Sequence, residues 1–541
     1  MEEFEAVPTA WRPQEPPRQH HPWPLQPRLA DTYSEQPQPF RQEPQPQRKP
    51  QPQQQSQWQS QPQQPGLRPQ QYSEQPQPFR QEPQPQRKPQ PQQQSQWQSQ
   101  AQQLGLRPQQ NRGHFPGGNA CNDAFRAPQP RTLATDLNGV ALEDTCIQSD
   151  GPHHIFVIGD WGGIGDPPRP ADHRSMKFPA HHREFVAGVD DMAQQRVAAQ
   201  MKRRAAVSYP DYIINVGDNF YWGGIDAKCG SPTYRVRDYT GQWENIFERV
   251  YEGRGLDGVP WLGVLGNHDY GGYYFTAGWD QAIGYTWAEA APSRGRWLTP
   301  AQYWRAKVRY TDFSVDYYFV DSNVFDAQRE TGEDHGICSR THNPRHGATC
   351  GPEGPSSVED CPGWFANLWK RQLRWLEDSL AVSAADWQVV VTHFPPLWGM
   401  QDWAPMAAKY GIDLIITGHV HRQAVQYGDT ELGPTAVIIS GGGGGITSEG
   451  LPDVHGYDDQ YGFMDITLTK QELMIEAISH GGHIRSATCV RQRPRQGVAV
   501  GPTSPPSTPS LCQRTLETQG RRPRGLRDVE AAEGSRGDRY V

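Results

Sequence analysis

Tyr212-Ile213-Ile214-Asn215-Val216-Gly217-Asp218-Asn219-Phe220-Tyr221 is the stretch on which the reading of this chain turns. A short apolar run ending at glycine has the character of a buried strand. It leads straight into a carboxylate, an amide and, three residues past the carboxylate, a phenol. The same sequence of apolar run, glycine and polar side chain recurs at Gly159-Asp160-Trp161-Gly162, Gly266-Asn267-His268-Asp269 and Gly418-His419-Val420-His421. Thr392-His393 closes a further run without the glycine. Any one of these clusters reads equally well as a turn, with glycine in the strained conformation and Asp or Asn capping the next segment. Five of them in one chain are hard to explain as turns. They supply carboxylates, a phenol, an amide oxygen and imidazoles, a donor set for two metal ions held side by side. Such a pair is suited to hydrolysing a phosphate ester.

Working outward, further short Val/Ile/Leu-rich runs predict strands at His154–Gly159, Tyr212–Gly217, Trp261–Gly266, Ser314–Val320, Trp387–Thr392, Asp413–Thr417, Thr435–Ser440, Phe463–Thr467 and Leu473–Ser479. Between them, Val197, Met201 and Ala205, and later Trp369, Leu373, Leu376 and Leu380, recur at helical spacing and predict amphipathic helices. The alternation predicts an α/β domain with helices packed on sheet faces, and the run from Gly462 to Val490 predicts an antiparallel close. In such sheets ligands gather at the carboxyl ends of strands, where the five motifs fall. The glycine run Gly441–Gly445 follows a strand and is expected to let backbone pass close to the metals, a plain flexible turn being the alternative.

Composition divides the 541 residues sharply. Residues 1–130 are dominated by Gln, Pro and Arg, and residues 492–541 by Pro, Ser, Gly and Arg. Neither flank holds enough apolar surface to fold, so one catalytic domain is expected over 152–491. The N-terminal flank contains a tandem repeat of period 39, Tyr33–Gln71 recurring as Tyr72–Gln110 with changes at Pro62/Ala101 and Pro65/Leu104. It reads as a Pro/Gln spacer whose partner is unknown. A net charge of −8 and a pI near 6.1 point away from nucleic acid and anionic membranes. No apolar stretch reaches the length of a membrane span, and Met1–Glu5 has no hydrophobic leader character. No Asn-x-Ser/Thr sequon occurs. The eight cysteines include no Cys-x-x-Cys pair, which argues against a zinc knuckle. Cys338, Cys350 and Cys361 share one polar segment that a disulfide would brace, with the pairing left open.

The motifs resemble those of the metallophosphoesterase superfamily over roughly residues 152–490. Within it they are similar to the purple acid phosphatases, the small tartrate-resistant animal-type branch in particular. Most superfamily members begin with Asp-x-His; here the residue two after Asp160 is Gly162, and Tyr221 stands where a phenolate would fill the vacancy. The resemblance implies a calcineurin-like fold, a two-sheet β-sandwich flanked by helices. It implies Fe(III) held by Asp160, Asp218, Tyr221 and His421, and a second divalent metal (Fe, Zn or Mn) held by Asp218 as bridge, Asn267, His393 and His419. It further implies acid hydrolysis of phosphate monoesters, small molecules or phosphoproteins, by a metal-bound hydroxide, in a secreted, lysosomal or vacuolar setting. His268 would contact the phosphate and help release the leaving group, or would support the Asn267 loop. The branch also carries a His nine or ten residues after the ligand His. Here that stretch is Gly399–Trp403, where Asp402 takes a related role or none. The Gly- and Cys-rich segment 325–362 is expected to be an enlarged loop near the site. A phosphodiesterase or nucleotide-directed enzyme, an iron redox role, and an interaction protein working through the Pro/Gln flank stand as alternatives.

Overall fold

The computed structural model describes residues 121–130, 132–149, 151–163, 183–233, 236, 240–288, 295–327, 336–343, 347–428, 430–493 and 512. The 39-residue repeat lies outside them, as does the rest of 1–130 before Cys121 and nearly all of 492–541.

Among the described residues fifteen strands form in chain order: β1 Val140–Ala141, β2 Thr145–Cys146, β3 His153–Ile158, β4 Tyr212–Asn215, β5 Trp261–Gly263, β6 Trp297–Leu298, β7 Trp304–Arg309, β8 Ser314–Val320, β9 Trp387–Thr392, β10 Leu414–Thr417, β11 Gln423–Gln426, β12 Ala436–Ser440, β13 Gly462–Leu468, β14 Glu472–Ser479 and β15 Ile484–Arg491. They make two sheets. One runs β1-β7-β8-β9-β10-β12-β11, with β2 beside β7; the other runs β15-β14-β13-β3-β4-β5-β6. Strands β3 to β6 are parallel, as are β8, β9, β10 and β12, whereas β13, β14 and β15 are antiparallel.

Alternating side chains sort into two apolar bodies, because successive strand residues face opposite sides. Ile155, Val157, Tyr212, Ile214 and Leu262 from one sheet meet Tyr317, Phe319, Val389, Val391, Leu414 and Ile416 from the other. Their neighbours in register, Phe156, Ile158, Ile213, Val390 and Ile415, join the helices instead. The three longest helices among the described residues are α1 (Ala193–Ser208), α2 (Cys361–Ala381) and α3 (Met400–Tyr410). Val197, Met201 and Ala205 are buried on α1; Trp369, Leu376 and Leu380 are buried on α2, with Leu373 half-buried. The expected two-sheet sandwich flanked by helices is therefore what forms.

Several boundaries differ from expectation. β4 and β5 stop at Asn215 and Gly263, short of Gly217 and Gly266; the residues between, Val216, Val264 and Leu265, stay buried in the apolar core, and the polar side chains begin only past the glycines. β7 was not anticipated. Its Trp304, Ala306 and Val308 alternate with Arg305, Lys307 and Arg309, so no continuous apolar run announces it. Residues upstream of 152 also enter the fold through β1 and β2. The cysteines pair as Cys121–Cys146, Cys229–Cys350, Cys338–Cys361 and Cys489–Cys512. The 325–362 segment thus carries one internal bridge and one to the 220s loop.

Candidate metal centre

Asp160, Asp218 and His419 each follow the glycine at a strand end, and each takes a positive φ, 57°, 54° and 66°. A left-handed conformation costs an L-residue roughly 1–2 kcal/mol. At Asp160 and His419 the strain falls on the polar residue's own backbone and not on the glycine before it; at Asp218 the preceding Gly217, at φ 92°, shares it. Surrounding bonds hold it there. Asp160 N–H donates to Gly217 O at 3.0 Å, Gly445 N–H donates to Asp160 O at 2.8 Å, and His419 N–H donates to Asp160 Oδ2 at 3.0 Å. His268 N–H donates to Asp218 Oδ1 at 2.9 Å. Strain concentrated on converging strand ends marks a site under functional constraint.

Beneath it, Trp161 fills a block of aromatic rings with Phe220, Phe247, Tyr251, Trp261 and Trp297. Its indole N–H donates to Asn215 Oδ1 at 2.9 Å, and Asn215 Nδ2 donates to Asn219 Oδ1 at 2.6 Å. The Asp160 and Asp218 loops are thereby keyed to one rigid floor.

The inward-facing atoms form two adjoining sets. Tyr221 Oη lies 3.0 Å from Asp160 Oδ1, 2.7 Å from Asp218 Oδ2 and 3.2 Å from His421 Nε2. His421 Nε2 is 3.3 Å from Asp160 Oδ1. Asp218 Oδ2 also faces the second set, 3.4 Å from His393 Nε2, which is 3.1 Å from Asn267 Oδ1. The His419 ring stands 5.2 Å from that of His393. Bonds of roughly 2.0–2.2 Å to a shared ion set neighbouring donors about 3 Å apart. The observed spacings fit such an edge length, and Asp218 Oδ2 belongs to both sets. The hard oxygen donors suit a highly charged ion, the imidazoles and amide a borderline one. His393 Nδ1–H donates to Val216 O at 2.8 Å, which leaves the Nε2 lone pair directed at the cluster and able to take an ion.

The electrostatics point the same way. Burial, and then the neighbouring Asp218, hold the Asp160 carboxyl well above the usual range. Burial also opposes ionisation of Asp218, but the adjacent His393 and His268 hold its carboxyl well below that range. Burial disfavours the His393 imidazolium, yet Asp218 overrides it and pushes this group up to about 10. Burial and both carboxylates raise the Tyr221 phenol. Acids crowded this closely without solvent call for concentrated positive charge among them.

Some contributors escaped the sequence reading. Asp269 accepts from Asn219 N, Asn219 Nδ2 and Gly266 N at 2.9, 2.9 and 2.7 Å, tying two motif loops together. It lay inside a quoted motif but had no assigned role. Asp326 Oδ2 accepts Nδ2 of Asn267 at 3.1 Å, which turns Oδ1 of that amide inward. The start of the 325–362 segment thus does reach the site. His268 Nδ1–H donates to Trp222 O at 2.7 Å, and its ring packs 4.4 Å from Tyr221. Asp402, the nearest substitute for the branch's extra His, directs its carboxylate to the Trp369 indole N–H at 3.0 Å. The Gly441–Gly445 run is close-packed: a Cβ at Gly443 would sit 2.3 Å from Gly159 O, and one at Gly445 2.7 Å from Gly162 N.

All eight singled-out residues fall within residues 153–423, half of the chain, which match the calcineurin-like phosphoesterase family. Tartrate-resistant acid phosphatase type 5 of Oryctolagus cuniculus is 26% identical over 303 residues, 53% of this chain and 72% of that protein. Purple acid phosphatase 7 of Arabidopsis thaliana is 24% identical over 365 residues, 64% of this chain and 88% of that protein. Among solved structures, Plasmodium GAP50, the anchor in the inner membrane complex, aligns with a TM-score of 0.43 at 16% identity, over 64% of this chain and 90% of that one. The family implies a binuclear metal centre, and the donor set fits one. The chain belongs to the calcineurin-like phosphoesterase family.

Proposed function

We propose that this protein is an acid phosphatase of the purple type, hydrolysing phosphate monoesters at an Fe(III)–M(II) pair. Fe(III) would be held by Asp160, Asp218, Tyr221 and His421, and the divalent ion by Asp218, Asn267, His393 and His419. The observation that carries the reading is Tyr221. Its hydroxyl lies within 3.2 Å of Asp160, Asp218 and His421 donor atoms, while the residue two after Asp160 is a glycine with no side chain to offer. A phenolate there favours a hard trivalent ion. Bound at this site, the pair supplies Lewis acidity toward phosphoryl oxygens and lowers the pKa of water.

The chain's own groups do the rest. Val216 O and Asp326 orient His393 and Asn267, so the donor atoms are set before substrate arrives. The Trp222 carbonyl engages His268 Nδ1–H, so proton transfer to a leaving oxygen runs through Nε2. The similarity to acid phosphatases of animals and plants supports the same reaction class.

The test is the visible spectrum of the purified iron-loaded protein. A tyrosinate-to-iron band that disappears in Tyr221→Phe is the expected result. An active, colourless enzyme whose metals are not iron refutes the iron assignment and leaves the phosphatase intact. Near-wild-type turnover in Asp218→Ala or His393→Ala refutes the two-metal reading altogether.

A further inference from the structure

The Trp398 indole is 38% exposed although it stands directly beside the cluster. His393 follows the last residue of β9, and Pro395 and Pro396 turn the chain into a single 3-10 turn, Pro396–Gly399. That turn carries Trp398 back over the site. Its ring meets His419 edge-to-face, 5.2 Å between centroids at 89°. Phe394, fully covered, packs 4.0 Å from the same imidazole and 5.8 Å from the indole. Gly399 fixes the turn from behind, since a Cβ there would lie 2.6 Å from Phe325 Cζ. The indole is therefore held on its inner side and open to water on its outer side. Leu397 beside it is 75% exposed.

The other end of the cluster is aromatic too. Trp222 lies 5.1 Å from the His268 ring and stacks on Tyr273 at 22°. A phosphate seated between these ends would direct its ester group at one of the two walls. Tyr273 itself is buried and Trp222 is half-buried, whereas Trp398 is the most exposed ring of the two walls. An exposed indole that closes no core is well placed to serve a ligand, because aromatic rings stack on it with a defined geometry.

We propose that Trp398 selects substrates, favouring phosphate monoesters whose leaving group is a flat aromatic ring over those with alkyl leaving groups. This rests on the phosphatase reading above. An aromatic pair contributes a factor of roughly two to ten beyond the area it covers.

The experiment compares 1-naphthyl phosphate with glycerol 2-phosphate as substrates of the metal-loaded full chain and its Trp398→Ala and Trp398→Phe variants. Taking the ratio between substrates within each protein cancels their difference in intrinsic reactivity. The aryl-to-alkyl ratio of kcat/KM is expected to fall about fivefold to tenfold in Trp398→Ala and to recover largely in Trp398→Phe. An unchanged ratio overturns the proposal, including the case in which both activities drop together because His419 has lost its packing. Binding gives a readout free of turnover: phenylphosphonate should bind wild type more tightly than Trp398→Ala, with methylphosphonate much less affected. Equal loss for both phosphonates overturns the proposal. A wild-type enzyme inert to both esters ends the phosphatase reading, a result separate from either phosphonate outcome.

Discussion

Placing a single methyl group on Gly162 should disable the site. An ideal Cβ there lies 1.7 Å from Asn219 O, 2.4 Å from Asn219 C and 3.0 Å from Phe220 Cα. Carbon and oxygen normally approach no closer than about 3.3 Å, so the two segments must part by roughly 1.6 Å. Neither can yield cheaply. The obstruction is backbone, and Tyr221 N–H donates to Gly162 O at 2.9 Å, binding the segments together. The displaced residues lie between Asp218 and Tyr221, so the shared carboxylate and the phenol move with them. Overpacking costs about 1–3 kcal/mol and a lost backbone hydrogen bond about 1 more. A misplacement of ~1 Å in a reacting assembly costs on the order of 100-fold in rate. Gly162→Ala is therefore expected to lose about 2–4 kcal/mol in urea unfolding and at least about 100-fold in kcat on an aryl phosphate. Gly363→Ala, in α2 with nothing within 4 Å of the added Cβ, is the control and should be neutral or slightly stabilising. A Gly162→Ala enzyme within threefold of wild-type kcat, at unaltered stability, refutes the reasoning. The same clash explains why restoring an Asp-x-His by Gly162→His should fail, since the loop carrying Tyr221 occupies that space.

Two other perturbations act through single contacts. Asp326→Ala frees the Asn267 amide to turn, and loss of such an orienting partner typically costs about 10–100-fold in metal affinity or activity. Metal titration of the apoprotein checks this, and unchanged affinity with unchanged kcat would exclude the role. Asp280 concerns stability alone: burial, with the Glu353 charge adding to it, pushes its carboxyl up to about 7, although Ser231 N–H donates to it at 2.8 Å. Its folded pKa thus exceeds the unfolded value of about 3.9, so the folded state loses stability as pH rises from about 4 to 7 and bears the whole cost above that. The upper limit is about 4 kcal/mol. Asp280→Asn should flatten that slope in urea unfolding series at pH 4 to 8; a slope identical to wild type would show that other groups produce it.

Part of this architecture was open to a reader of the sequence because it rests on local regularities. Apolar runs of strand length ending in Gly-Asp or Gly-His announce where parallel strands stop and polar side chains begin, and a helix stripe such as Val197-Met201-Ala205 repeats with the turn of the helix. β7 was hidden by its Arg and Lys positions, whose alternation only matters once a second sheet covers one face. Among the site residues, the eight side chains could be named from motif and resemblance, but their partners could not. Asp326 meets Asn267 from 59 positions away, and the Cys229–Cys350 bridge closes over 121 residues. Nothing in local pattern carries such pairings.

Motif order along the chain supplies the inventory: which carboxylates, imidazoles and phenol are available, each within a few residues of an apolar run of strand length. Their mutual geometry comes from packing between distant segments. That packing set Tyr221 against Asp160 and Asp218, filled the space beside Gly162 with backbone, turned Asp402 toward Trp369 and left Trp398 facing water beside His419. The physical reason is that hydrogen-bond distance, burial and steric exclusion depend on atoms brought together across the whole chain, and the two-sheet sandwich is what brings these strand ends to one place.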